Sequence, residues 1–299
     1  MKHKLDAREY KILLNPQKFM APLSLAIAND FWEGVLAPII ETCLGDRTVR
    51  SGFDKVIERK VRFWDTDDCA LTSADLALRS RLEVRDGAPA DEHEVTLKLR
   101  MTDFFVVADT QFGQSTNGEK PELEEDIAPL EVQLPTASGG IVLPQKPSSR
   151  SRYSLTTKRR VDWEASPTET FLKQLFPAVT DLVQRPLRDG RLRCGPEVHE
   201  YAAKGAEVVF SQDTEGKFTL TLWYFQSEEE TTVVEFSFKC DTPNGEMSGK
   251  TAKRALGIFT KLQADLGDYL NSQHSSKTVL ALPVGCHDER PPLPLRQHK

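Results

Sequence analysis

Separate runs of this chain alternate apolar residues with Lys and Arg at a period of two, which restricts them to β-strands whose two faces differ in kind. In Val95-Thr96-Leu97-Lys98-Leu99-Arg100, the odd-numbered residues define an apolar face and Thr96, Lys98 and Arg100 a basic one. The same alternation runs through Leu78-Arg79-Ser80-Arg81-Leu82, through residues 154–160 and through residues 233–239. A half-buried antiparallel strand with one wet face reads the same way, so no single run decides anything. The joint tally does. The aligned faces carry Lys11, Lys60, Arg62, Arg79, Arg81, Lys98, Arg100, Lys158, Arg160 and Lys239 against Glu9, Glu58, Glu83 and Glu235, in a chain whose formal net charge is −6. A random solvent face of an acidic chain should not be so cationic; if the shared surface is the inside of a barrel, it is built to hold a polyanion, on which such a concavity focuses its field.

A chain of 299 residues can bury a sizeable core. It holds no apolar run of membrane-spanning length, and Met1-Lys2-His3-Lys4-Leu5-Asp6 lacks the apolar centre of a signal peptide, so the expectation is a soluble, cytoplasmic protein without membrane contact. Cys43, Cys69, Cys194, Cys240 and Cys286 are odd in number and show no C-x-x-C pair or zinc spacing, which predicts reduced, structural thiols. The negative total argues against a duplex nucleic-acid binder. None of the six histidines stands near Ser or Cys in a nucleophile motif, so a triad hydrolase has no support.

Strand patterning covers residues 5–14, 54–66, 76–85, 92–100 and 104–110, with a helical stretch over 20–44 that Pro38 ends or kinks. Residues 114–152 begin acidic and end rich in Pro, Gly and Ser, and read as a mobile connection between two halves. Strands follow at 153–163, 198–210, 217–225 and 231–240, then a long amphipathic helix with Ala255, Phe259, Leu262, Leu266 and Tyr269 at helical spacing. These elements suit one domain over residues 1–283 and a disordered tail over 284–299 that contains Pro291-Pro292-Leu293-Pro294.

The run Val61-Arg62-Phe63-Trp64-Asp65-Thr66, then Leu78-Arg79-Ser80-Arg81, then Thr96-Leu97-Lys98, then Lys158-Arg159-Arg160, Val234-Glu235 and Ser276-Lys277, resembles the CYTH family of triphosphate tunnel enzymes in the kind and order of its landmarks. The resemblance implies an α+β fold: an eight-stranded antiparallel β-tunnel with helices outside. It implies Arg79, Arg81, Lys98, Lys158 and Arg160 as phosphate ligands, with Lys11 and Lys277 beside them. Arg forks onto two phosphate oxygens and Lys supplies a compact charge, so the residue types suit the task. It further implies Glu9 and Glu235 as ligands of Mg or Mn, although as single carboxylates among cations they serve equally as internal counter-ions. Asp65, before a turn-forming Thr, reads as structural.

The chain departs from that family where metal would bind. Residues 7–11 keep one carboxylate of a Glu-x-Glu-x-Lys motif, with Ala7 in place of the first. Residues 235–239 keep one of three, with Ser237 and Lys239 in the other places. The expected function is therefore binding, with or without metal-dependent hydrolysis, of a triphosphate-containing or polyphosphate small molecule. The rivals are a catalytically inactive polyphosphate or nucleotide sensor and a protein-interaction scaffold working through the acidic run at residues 122–126 or the proline tail.

Overall fold

A computed structural model describes residues 4–286, except 45–48, 114–117, 119, 131, 134–140, 143–146, 164–166, 184, 213, 226–230 and 272–276. The proline-rich tail from residue 287 and Ser276 of the Ser-Lys landmark thus lie outside the described residues.

Nine strands, numbered here in chain order, close a barrel: β1 (Ala7–Leu14), β2 (Lys55–Asp65), β3 (Leu76–Arg85), β4 (His93–Met101), β5 (Glu122–Pro129), β6 (Ser149–Val161), β7 (Val198–Lys204), β8 (Thr214–Phe225) and β9 (Val233–Asp241). Around the ring the order is β2–β7–β8–β9–β1–β5–β6–β4–β3, and β3 pairs back onto β2. Every neighbouring pair is antiparallel except β1 and β5, which run parallel with Glu9 opposite Asp126. The expected tunnel with external helices is present, but with nine strands in place of eight and with one parallel pair. Geometry links the two differences, because a closed ring of strictly alternating directions needs an even number of strands. The extra strand is β5, which lies inside the stretch read as a mobile connection and wedges between β1 and β6.

The hydrophobic core surrounds the barrel. On β1, Tyr10, Ile12 and Leu14 face outward, and with Phe218, Leu220, Phe236 and Phe238 they pack under Phe31, Trp32, Ile40, Phe259 and Leu262 from helices α1 (Leu25–Phe31), α2 (Ala37–Leu44) and α3 (Gly249–Asp265) and the π-turn between the first two. On the opposite side Leu76, Leu78, Val95, Leu97, Leu99 and Leu155 pack under Leu71, Leu172, Phe176 and Val179. Alternation then forces the residues between them inward, and these are the charged ones. The π-turn Trp32–Leu36 stands just before Pro38, where the missing N–H and the ring obstruct a regular helical turn. Residues 104–110, expected as a strand, form a short helix because the Asp103 side chain accepts from Phe105 N and Val106 N and caps it.

At one end the inward positions become apolar. Leu13, Val61, Phe63, Val198, Trp223 and Val233 form a third cluster, on which Ala281 and Leu282 of the C-terminal segment pack. That segment is fastened by a disulfide between Cys69 and Cys286, 217 residues apart in sequence. The expectation of thiols throughout is corrected for this pair; Cys43, Cys194 and Cys240 are free. No cue in spacing pointed to the bond, because the fold alone brings the two cysteines together.

Asp65 is structural, as read. It is fully buried at the end of β2, where Oδ1 accepts from Thr66 N (2.7 Å) and Leu71 N (2.9 Å), and Oδ2 from Thr72 N (2.9 Å) and Thr72 Oγ1 (2.6 Å). Asp65→Ala would leave those buried donors without an acceptor. It is expected to cost about 3 kcal/mol or more of folding free energy, measured by urea unfolding. An unchanged midpoint would show that the turn finds other partners.

Candidate functional site

The barrel encloses a cavity of about 310 Å³ lined by inward side chains from all nine strands. Among the described residues the lining carries twelve Lys and Arg against six Asp and Glu, so the interior is strongly positive within a chain that is negative overall.

The charges are divided between two walls. On the wall of β1, β4, β5 and β9, cations and carboxylates are matched. Asp126 is its hub: its carboxylate lies 2.7 Å from Lys11 Nζ, 3.2 Å from Lys98 Nζ and 3.0 Å from Arg100 Nε. Glu124 lies 2.8 Å from Lys239 Nζ and 3.5 Å from Lys98 Nζ, Glu9 lies 2.8 Å from Lys11 Nζ, and Glu122 pairs with Lys239. Burial alone would raise the Asp126 carboxyl, but Lys11, Lys98 and Arg100 together hold it well below the usual carboxylate range. Lys11 is raised in turn: Asp126 and Glu9 outweigh its own burial.

On the wall of β2, β3 and β7, cations are in excess. Glu200 is buried and lies 3.0 Å from Arg59 and 3.5 Å from Arg81, and it accepts from Trp223 Nε1 at 2.9 Å. Burial would raise this carboxyl too, yet Arg81, Lys277, Arg59 and Arg79 keep it low. Arg79 has no such partner. Among the described residues it makes no ion pair, and its Nε is buried without a hydrogen-bond partner; the Nε of Arg81 is in the same condition. Burial, with Arg81 alongside, pushes the Arg79 guanidinium down to about 9, still charged at neutral pH. Burial lowers Lys204 as well, with Arg59 and Arg81 adding to the effect.

Of the residues proposed from sequence, Lys11, Arg79, Arg81, Lys98, Lys158 and Lys277 line this cavity. Lys158 is at an exposed position 3.8 Å from Glu122, and Lys277 lies 2.8 Å from Glu235 with its ammonium 4.6 Å from the Trp223 ring centre. Arg160 shares the inward register of β6 but is exposed beyond the cavity. On β2 the face is the opposite of the one tallied: Arg59 and Phe63 point inward, whereas Arg62 pairs outside with Glu197 at 2.9 Å. A period of two groups alternate residues without saying which group faces in.

Glu9 and Glu235 are separated. Across β1 and β9, Glu9 is opposite Lys239 and Glu235 opposite Leu13, so the two stand four residues apart along the sheet. Glu9 instead joins Glu124 and Asp126: one carboxylate oxygen from each of the three lies within 4.8 Å of the other two. Three hard oxygen donors at this spacing can hold a divalent cation. The position is contested, because Lys11 bridges Glu9 and Asp126 while Lys98 bridges Glu124 and Asp126. A metal must displace those ammonium groups, or arrive with an anion that draws them away. Two of these three carboxylates come from β5, whose Glu122-x-Glu124-x-Asp126 spacing was the available sequence signal. Reading that run by composition as a loop concealed it.

No protein-family model matches the chain, and no curated protein matches it in sequence. Among solved structures, a candidate adenylyl cyclase from Hippeastrum, described as having a dominant triphosphatase activity, aligns at 14% identity and TM-score 0.43 over 91% of this chain and 93% of its own. A candidate adenylate cyclase from Bacillus halodurans aligns at 10% identity and TM-score 0.37 over 91% and 96%, and the PH1819 protein from Pyrococcus horikoshii at 11% and 0.33 over 90% and 96%.

A depressed carboxyl stabilises the fold above its unfolded value and loses that contribution as pH falls toward the folded one. With Asp126 and Glu200 both held low, stability is expected to stay level from neutral pH down to about 4 and to fall below it. Melting curves from pH 7 to pH 2 check this, and Asp126→Asn should lower the neutral-pH melting temperature and flatten the acid limb. An acid limb of unchanged depth in Asp126→Asn would show that the hub is not this carboxylate.

Proposed function

We propose that the barrel binds a triphosphate or longer polyphosphate chain along the wall of β2, β3 and β7. The observation that carries this reading is Arg79, which stands beside Arg81 with its Nε buried and unsatisfied and, among the described residues, with no ion pair, so that Glu200 and Glu94 offset its charge only from a distance. A charge that is desolvated and incompletely compensated is costly, an expense that a folded domain tolerates where a ligand removes it. A polyphosphate matches the site in sign, in multiplicity of charge and in offering paired oxygens to the Arg fork. Arg59, Lys204 and Lys98 extend the contact along the chain of phosphates, while Thr156, whose buried hydroxyl lacks a partner, adds a neutral donor.

Metal-dependent hydrolysis is the finer form of the reading, and the group of Glu9, Glu124 and Asp126 favours it. Mg or Mn held there would neutralise charge on a transferring phosphoryl group and lower the pKa of a bound water. The chain's own contribution is that Arg79 and Arg81 fix the anion and stabilise charge that develops on it. The lysines already seated on these carboxylates favour the alternative, a tunnel that binds the anion as a sensor.

Calorimetric titration with inorganic tripolyphosphate at low salt tests binding, and affinity should fall as salt rises. Arg79→Met is expected to weaken binding about tenfold or more, the equivalent of about 1.4 kcal/mol per decade. It should leave the melting temperature of the free protein unchanged or raised, since it removes an unpaired buried charge. A residue with a purely structural role would give the reverse pattern. No heat and no rise in melting temperature with millimolar ligand would end the proposal. Phosphate release from a panel of triphosphates with Mg or Mn, lost in Glu9→Gln and Glu124→Gln, separates the enzyme from the sensor.

A further inference from the structure

The C-terminal segment over residues 277–286 contributes to the tunnel without belonging to the barrel. Among the described residues it pairs with no strand; it forms a single 3-10 turn, Thr278–Ala281. Lys277 and Thr278 line the cavity, with Lys277 placed by Glu235 and the face of Trp223. Beyond them Ala281 and Leu282 cover the apolar end of the interior, whereas Leu280 and Val284 are exposed. Two further contacts seat the segment: Arg193 Nη2 donates to Val284 O at 2.7 Å, and Gly195 lies so close that a Cβ there would stand 2.0 Å from Ala281 O. Its far end is bonded covalently through Cys286 to Cys69, in the turn that Asp65 organises.

We propose that the Cys69–Cys286 disulfide is a reversible clasp that holds this strap, and with it Lys277, in the tunnel, so that thiol reduction lowers the affinity for the anion. The second half of this statement rests on the polyphosphate reading. With only Ala281, Leu282 and Pro283 buried besides Cys286, and no sheet ladder, the strap belongs to the least stable part of the fold once the covalent tie is gone. Cys69 is half-buried and Cys286 buried, so a dithiol reductant attacks the Cys69 sulfur. The S–S bond breaks and Cys286 leaves as a thiolate that takes up a proton. The second thiol of the reductant then releases Cys69 as a thiol, and the reductant ends as its own disulfide, having passed two electrons to the protein. No other disulfide is present among the described residues, so the chemistry acts on one bond.

Hydrogen exchange of the peptide covering residues 277–286 and tripolyphosphate affinity, measured on the oxidised and dithiol-reduced full chain, test the clasp. Reduction should remove the strap's protection and weaken binding about fivefold, and Cys286→Ser should do the same without reductant. Gly195→Ala, which blocks seating and leaves both cysteines in place, should mimic reduction. Lys277→Ala should weaken binding to a similar extent and make it insensitive to reduction. Equal protection of the strap with both thiols shown free by alkylation would overturn the clasp. Lost protection with unchanged affinity would overturn its coupling to the tunnel. If the oxidised protein binds no tripolyphosphate at all, the polyphosphate reading fails, and exchange still decides whether the disulfide holds the strap.

Discussion

The row of carboxylates on β5 is the constraint on which the barrel depends. Without Glu122, Glu124 and Asp126, twelve lining cations would face only Glu9, Glu200 and Glu235 around one cavity. Like charges several ångströms apart repel by about 4 kcal/mol per pair at an effective dielectric of 20, and several such pairs exceed the stability of an ordinary domain. By entering between β1 and β6, β5 places an acceptor within ion-pair reach of Lys11, Lys98, Arg100 and Lys239. The same insertion makes the strand number odd and brings in the parallel pair, so topology and electrostatics have one origin.

Compensation is uneven, and the proposed function rests on the unevenness. The wall that β5 neutralises is closed on itself, with each carboxylate engaged. The wall of β2, β3 and β7 keeps Arg79 unpaired, a local cost that the remaining structure must offset. What offsets it lies outside the ring, where two apolar belts clamp the strands beneath helices and hold the inward side chains in place. An external core leaves the interior free to be polar, and a rigid strand scaffold holds Arg79 out of ion-pair reach of the carboxylates around it.

The C-terminal strap completes this arrangement from outside the ring. It covers the apolar end and adds one more cation, Lys277, to those that already outnumber Glu200. Because its hold is partly covalent, this part of the electrostatic balance answers to the thiol chemistry of the surroundings, whereas the β5 network is held by ion pairs alone.

The sequence by itself determined which residues share a face. Arg79 with Arg81 and Lys98 with Arg100 were legible as basic rows because strand alternation is local and strict, and the amphipathic spacing of Ala255, Phe259 and Leu262 marked a helix that packs against the barrel. Tertiary structure decided which face of β2 looks inward, hence Arg59 and not Arg62, since periodicity is blind to inside and outside. It also decided that an acidic run is a barrel stave and not a loop, that Glu9 belongs with Glu124 and Asp126 and not with Glu235, and that Cys69 meets Cys286. The contacts of Glu9 with Asp126, of Arg59 with Glu200 and of Cys69 with Cys286 join residues more than 100 positions apart, and no local pattern encodes a neighbour that the chain reaches only by closing the ring.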